Sequence, residues 1–369
     1  MKKIISIILL MAMCVSLLTA CNGETKNVTD GNVKDVGNTE TGSNPVESSE
    51  TKKVPVAGAI WYNFGDTFIA KARTTLNEAA EADGTIKVVD ADSQNDIGTQ
   101  TSNLNNFYTQ GVDYIVLNNI NTNAISEIVS QAKDKNTTII FANTNSPTEE
   151  DFASFDKVYH VSSVATQSGT IIGEHLAKYW KEHPEADRNG NGKLDYVMFL
   201  GLQGHYDTTV RSEYSVKAIQ DAGIQTNLIQ ETIANYQRSD AQNQMASILQ
   251  ARKDDVEAVI ACNDDMALGA IEALKASGFF KDESTYIPVV GVDATQLGVD
   301  AINEGTLLGT ALNNPVILGN SIYKLMSLLN EGKELTQENL GMSGVNVEGH
   351  HININYVGIT KDNVQDAKY

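Results

Sequence analysis

From Val54 onward, short apolar runs alternate with longer amphipathic stretches, which predicts a regular succession of strands and helices. VPVAGAIWY reads as a strand. A helix over 66–82 follows, with Phe68, Ile69, Ala72, Leu76, Ala79 and Ala80 recurring on one face. TIKVVDA, DYIVLN and TTIIFA read as strands, separated by helices near 96–110 and 122–135. After KVYHVSS a second series begins: helix 166–182, strand DYVMFLG, helix 208–222, strand IQTNLIQET and helix 239–253. It continues through strand VEAVIAC, helix 264–277, strand YIPVVGV, helix 295–304, strand LLGTAL and helix 316–330. Most strand runs are apolar throughout rather than alternating, as in parallel sheets covered by helices on both faces. The prediction is an α/β fold of two doubly wound parallel-sheet lobes with a ligand crevice between them.

Seven strand-like runs end in polar residues. GAIWYNF leads into GDTF, IIFA into NTN, VMFLGLQG into HYDTTVR and LIQETIA into NY. AVIAC leads into NDD, PVVGV into Asp293 and GTAL into Asn313. In a wound parallel sheet the carboxyl ends of the strands share one edge, where ligands bind. The chain therefore assembles one polar pocket from segments spread along most of its length.

The residues before Val54 read differently. MKKIISIILLMAMCVSLLTA carries two lysines, an apolar stretch and then small residues, the pattern of a secretory signal over 1–20. It is too short and wrongly flanked for a stable membrane span. Leu18-Thr19-Ala20-Cys21 resembles the lipobox of bacterial lipoproteins. That implies cleavage before Cys21, acylation of Cys21 and an extracytoplasmic chain held at the cell membrane by lipid. Residues 21–53 lack hydrophobic periodicity and read as a flexible tether with a reach of roughly 30 Å. With Cys14 in the signal and Cys21 lipidated, Cys262 remains alone, so neither a disulfide nor a zinc cluster is expected. Cys262 closes an apolar run and reads as a small core residue.

A length of 369 residues predicts two compact units plus extras, and 41% hydrophobic residues suffice for real cores. The formal net charge of −20 argues against nucleic acid as a partner.

The segments GHYDTTVR, VIACNDDMALGAIEALK, PVVGVDA and GTALNN carry a resemblance. From Val54 to Tyr369 the chain resembles the periplasmic-type glucose/galactose-binding proteins that feed sugar ABC transporters. The resemblance implies a periplasmic binding protein type I fold with two lobes joined by a three-strand hinge. The first lobe would comprise 54–162 plus 314–348, and the second 163–313 plus 349–369. The crossings are expected near Ser162-Ser163, near Asn313-Asn314 and near 348–351. Sugar-contacting residues carried over by position are Asp66, Phe68, Asn143, His205, Asp207, Arg211, Tyr236, Asn263, Asp293 and Asn313. Implied partners are a monosaccharide such as glucose or galactose and an ABC permease; the alternative role is a sugar sensor, in which the closed form docks on a chemoreceptor or sensor kinase. A monomer is expected.

The residue types suit a sugar. A pyranose edge both donates and accepts hydrogen bonds, which carboxylates, amides, Arg and His can match. Its C–H faces suit flat rings, here Phe68 and Tyr236. The family usually has Trp where this chain has Tyr236. On residue type alone Asp66, Asp207 and Asn263 also read as helix caps, Asp293 as a strand end, His205 as a loop residue and Phe68 as core.

Asp187-Arg188-Asn189-Gly190-Asn191-Gly192-Lys193-Leu194-Asp195 follows the first nine positions of an EF-hand calcium loop, but the twelfth position is Met198 rather than Glu. The resemblance implies that Glu257 completes the ligand set. Asp187, Asn189, Asn191, the Lys193 carbonyl, Asp195 and Glu257 would then hold a structural Ca2+. An Asn/Gly-rich surface turn is the plainer reading of the same composition.

Two other function classes fit poorly. Glycosidase chemistry needs a pair of carboxyls, and Asp66, Asp207 and Asp293 offer some. However, the chain has no nucleophile elbow, phosphate loop or catalytic metal triad, and the carboxylates accompany Arg211 and amides. A sugar-responsive repressor would carry a helix-turn-helix where this chain has a signal and tether. The expectation is a binding protein, not an enzyme.

Overall fold

The computed structural model describes residues 53–368. The expected signal peptide, the expected acylation site at Cys21 and nearly all of the expected tether lie outside the described residues. The first series is β1 (Val56–Trp61), α1 (Thr67–Asp83), β2 (Lys87–Asp92), α2 (Ile97–Gln110), β3 (Tyr114–Leu117), α3 (Ile125–Lys135), β4 (Thr138–Ala142), α4 (Glu149–Ser154) and β5 (Val158–Ser163). The second is α5 (Ala165–Glu182), β6 (Lys193–Leu200), α6 (Tyr206–Asp221), β7 (Gln225–Ile233), α7 (Arg238–Arg252), β8 (Ala258–Ala261), α8 (Asp264–Ala276), β9 (Val289–Val292), α9 (Gln296–Glu304) and β10 (Gly309–Leu312). The chain ends with α10 (Pro315–Asn330), α11 (Gln337–Leu340), β11 (Val345–Glu348), β12 (His351–Ile354) and β13 (Val357–Thr360).

Two sheets result, in the orders β11-β12-β5-β4-β3-β1-β2 and β13-β10-β9-β8-β6-β7. Their wound parts are parallel throughout. In the first sheet the order reverses between β1 and β3, and in the second between β6 and β8. Such switch points open a crevice beyond the strand ends, because neighbouring helices leave to opposite faces there. Both crevices lie on polar strand ends read from the sequence: Tyr62 to Asp66 after β1, and Gly201 to His205 after β6.

Local rules explain the elements. Asp66, Asp96, Asn263 and Asn314 each accept a backbone N–H as N-caps of α1, α2, α8 and α10. Helices α5 and α6 pack closely because Gly173 has no Cβ; one there would sit 2.3 Å from the Ser215 carbonyl oxygen. Trp61 is fully buried, and its indole N–H donates to Asp90 at 2.9 Å, so its polar atom is satisfied.

The C-terminal tail departs from expectation. β11 and β12 form an antiparallel hairpin, and β12 runs parallel to β5 in the first sheet. The third crossing therefore falls at Asn355-Tyr356 rather than near 348–351, and residues 349–354 belong to the first lobe. The physical reason is burial: Ile352 and Ile354 lie in the first lobe's core. β13 then joins the second sheet antiparallel to β10, so both sheets are mixed at one edge.

All three crossings are tied to their surroundings. Ser163 Oγ donates to Asn313 Oδ1 at 2.6 Å, linking the first crossing to the second. Gln167 clasps the third, donating to Asn355 at 3.2 Å and accepting the Tyr356 N–H at 3.0 Å.

Candidate functional site

The two switch points face each other across one cavity, lined by Tyr62, Asp66, Phe68, Ile69 and Asn143 from the first lobe. His205, Asp207, Arg211, Tyr236, Asn263 and Asp293 line it from the second. Nine of the ten residues carried over from the sequence thus meet in one place. Asn313 is not among the lining residues; it sits at the second crossing, bonded to Ser163. Tyr62 and Ile69 line the cavity without having been singled out. Tyr62 was marked in the sequence only by closing the first strand run.

Several lining residues also serve the backbone. Asp66 caps α1 through Ile69 N–H at 2.8 Å and accepts the Tyr62 hydroxyl on its other oxygen. Asn263 caps α8 through Met266 N–H at 3.0 Å. His205 is the cap residue of α6, but its side chain makes no cap bond. Capping and lining are therefore not alternatives: the N-termini of α1, α6 and α8 all open onto the cavity, aiming partial positive charge at it. Asn143, Tyr236 and Asp293 have φ of 49°, 61° and 113°. Left-handed backbone at three lining positions, one of them an aromatic, is strain concentrated at the site.

Arg211 is the hub of the second lobe's side. It donates to the Cys262 carbonyl at 2.8 Å, to Asp207 at 3.1 Å and to the Tyr356 hydroxyl at 3.1 Å. Tyr356 lies on the third crossing, so the guanidinium joins the site to the connection between the lobes. The Tyr236 hydroxyl bonds Thr208 Oγ1 at 2.8 Å and His205 Nδ1 at 3.2 Å. Its ring lies against Gly201, where a Cβ would come 2.0 Å from Cζ. Tyr62, His205 and Tyr236 form a cluster of three rings with centroids 5.7 to 6.2 Å apart.

Burial shapes the charges. It raises the Asp66 carboxyl above its ordinary range, against the hydrogen bonds from Tyr62 and Ile69. Burial raises Asp293 well above that range too, with Arg211 opposing it and Asp66 adding to it. Burial also keeps His205 below its ordinary value, so its imidazole stays neutral. Cys262 is buried and its thiol is pushed up to about 12, which leaves it a packing residue. Three buried side-chain nitrogens at or beside the cleft have no partner: His205 Nε2, Arg211 Nε and Asn313 Nδ2. A buried polar group left unsatisfied costs about 1–3 kcal/mol, so these atoms call for a polar ligand.

The loop at 187–195 lies at the opposite end of β6. Asp187, Asn189 and Asn191 fold it by accepting backbone N–H groups of the loop itself. Glu257 accepts the N–H groups of Arg188 at 2.8 Å, Asn189 at 3.3 Å and Asp195 at 3.1 Å. The amides of Asn189 and Asn191 both reach Asp195 at 2.6 Å. Lys193 is exposed, leaving only its backbone to the loop. Asp195 and Glu257 are 3% and 1% exposed, and burial raises the Glu257 carboxyl. Among the described residues no cation forms an ion pair with Asp187, Asp195 or Glu257. Nor do three His, Cys, Asp or Glu side chains converge as a metal-binding group. Carboxylate, amide and carbonyl oxygens are the donor type calcium takes. Here the side-chain oxygens of Asp187, Asn189, Asn191, Asp195 and Glu257 accept N–H groups of the loop and its neighbours.

Two wound lobes closing a cleft of mixed donors and acceptors define a solute-binding protein. Comparison with known proteins agrees, since a family model described as a periplasmic binding protein domain matches residues 57–334. The chain belongs to the periplasmic binding proteins. It is 32% identical over 310 residues to the D-galactose/methyl-galactoside binding periplasmic protein of Haemophilus influenzae, covering 84% of this chain and 90% of that one. It is 28% identical to the ribose import binding protein of Escherichia coli, over 62% of this chain and 69% of that one. Among solved structures, an ABC transporter solute-binding protein from Bacillus halodurans with bound myo-inositol superposes with a TM-score of 0.70. That pair shares 26% identity and covers 85% and 96% of the two chains. The chain is thus a binding protein, not an enzyme, and these relatives are named for binding D-galactose, ribose and myo-inositol.

Proposed function

We propose that this protein captures a single monosaccharide, glucose or galactose, outside the cytoplasm and delivers it to an ABC permease. The observation that carries the reading is the trio of buried, unpartnered nitrogens on His205, Arg211 and Asn313, beside carboxyls that burial drives toward their neutral form. A cleft of this kind offers donors and acceptors in similar measure and no strong net field, which suits a neutral ring of hydroxyls. The cavity has a volume of about 20 Å3, room for roughly one water. A sugar therefore enters only when the lobes part, and the three crossings would act as the hinge that closes them again. Acylated Cys21 and the tether would keep this cycle at the membrane surface, and calcium in the 187–195 loop would stiffen the second lobe away from the cleft.

Equilibrium dialysis with labelled D-glucose and D-galactose tests the reading. Retention of either by the wild type, and a loss of at least about tenfold in affinity in His205→Ala and Asn313→Ala, is expected. Conversion of the sugar to another compound would overturn the binding role.

A further inference from the structure

Asp264 is wholly buried beside the ligand-lining Asn263, yet it does not line the cavity. One of its oxygens accepts Thr295 N–H at 2.8 Å and Thr295 Oγ1 at 3.2 Å; the other accepts Thr310 Oγ1 at 2.7 Å. Space for this carboxyl is built in. A Cβ on Gly291 would come 2.4 Å from Oδ1, and one on Gly298 would come 2.3 Å from Oδ2. No cation forms an ion pair with Asp264 among the described residues. Burying an uncompensated carboxyl is costly, and burial does push this one up to about 7.

What that cost supports is the turn after β9. Asp293 and Ala294 both have left-handed φ, 113° and 52°. A non-glycine residue at φ of 113° needs its surroundings to hold it there. Asp293 N–H donates to Ala311 at 2.8 Å, Ala294 N–H reaches Thr310 Oγ1 at 3.3 Å, and Thr295 N–H ends on Asp264. The Asp264 carboxyl therefore anchors the turn from α8, while its neighbour Asn263 caps the same helix and lines the cleft.

We propose that Asp264 is a positioning residue for the sugar site, holding the 293–295 turn in the conformation that presents Asp293 to the ligand. The proposal rests on the sugar-binding reading for its affinity readout but not for its structural one. The discriminating pair is Asp264→Val and Asp264→Asn. Valine fills the space without hydrogen bonds. Asparagine keeps an oxygen for Thr295 N–H and offers its NH2 to Thr310 Oγ1. Expected by calorimetry is a sugar affinity at least about tenfold weaker for the valine variant and within about threefold of wild type for asparagine. A pure packing role, which isosteric asparagine and space-filling valine both satisfy, predicts similar affinities for the two, and that result, or the reverse order, would overturn the proposal. Should the valine variant fail to fold, Thr310→Val removes one anchor and is expected to weaken binding about threefold to fivefold; an unchanged affinity would count against the proposal. The amide proton shift of Thr295 needs no sugar. It should move upfield in the valine variant and hold in the asparagine variant, and an unmoved shift in both would overturn the proposal even if no sugar bound.

Discussion

Thr67 on α1 donates its hydroxyl to the Asp265 carboxylate on α8 at 2.8 Å, a direct bond from one lobe to the other at the mouth of the cleft. A second such bond runs from Thr122 Oγ1 to the Gly204 carbonyl at 3.3 Å. Neither Thr67 nor Thr122 lines the cavity, so these bonds hold the lobes together without touching a ligand. Thr67→Val removes one of them with little change of shape. A hydrogen bond worth about 1 kcal/mol corresponds to roughly fivefold faster sugar release, with association unchanged, by stopped-flow. An unchanged release rate would show that the contact is not a latch.

Gly201 should be intolerant for a reason specific to Tyr236. A Cβ there overlaps the ring, so Gly201→Ala must displace it from the cleft. Sugar affinity is expected to fall about tenfold or more, while Tyr236→Phe, which keeps the ring and loses only the hydroxyl, falls less. Equal losses in the two variants would mean that the ring's placement against Gly201 does not matter.

Much of this architecture is legible along the chain. The switch-point strands are continuous apolar runs, and the polar residues after them are both caps and lining groups, so one sequence signal marks fold and site together. What escaped reading has different physics. β11 and β12 alternate with period two, Val345 and Val347 against Ile352 and Ile354, because they form a hairpin at a sheet edge rather than a strand buried on both faces. The short α4 shows only a polar capping box, Thr148 with Asp151. Asn313 ends a strand like the other lining residues, but the chain crosses between lobes at that point. Its position beside Ser163 depends on a contact 150 residues away in sequence.

Stability should respond to pH through Asp264. Its folded value is about 7 against an ordinary 3.8, so the folded protein holds a proton between those values that the unfolded chain has released. The associated stability is fully present below about pH 4 and is lost as pH rises through 7. Asp264→Asn removes that dependence. Its stability relative to wild type should climb between pH 4 and 7 by up to about 4 kcal/mol and then level off. Urea denaturation across that range reads the difference, and a flat difference would mean that Asp264 ionises normally.

Calcium should act on the fold and not on the cleft. Adding Ca2+ to chelator-treated protein is expected to raise the melting temperature by several degrees while leaving sugar affinity within about twofold. Glu257→Gln should abolish most of the rise. An identical melting temperature with EGTA and with Ca2+ would remove calcium from the account.

The central claim is that the cleft closes on one neutral monosaccharide. Titration calorimetry of the purified domain against D-glucose, D-galactose, D-ribose, D-xylose and myo-inositol tests it most directly. One sugar is expected to bind at one per chain with micromolar or tighter affinity, and Arg211→Met should abolish its heat. No binding by any of the five, or binding that survives the loss of Arg211 unchanged, would contradict the account.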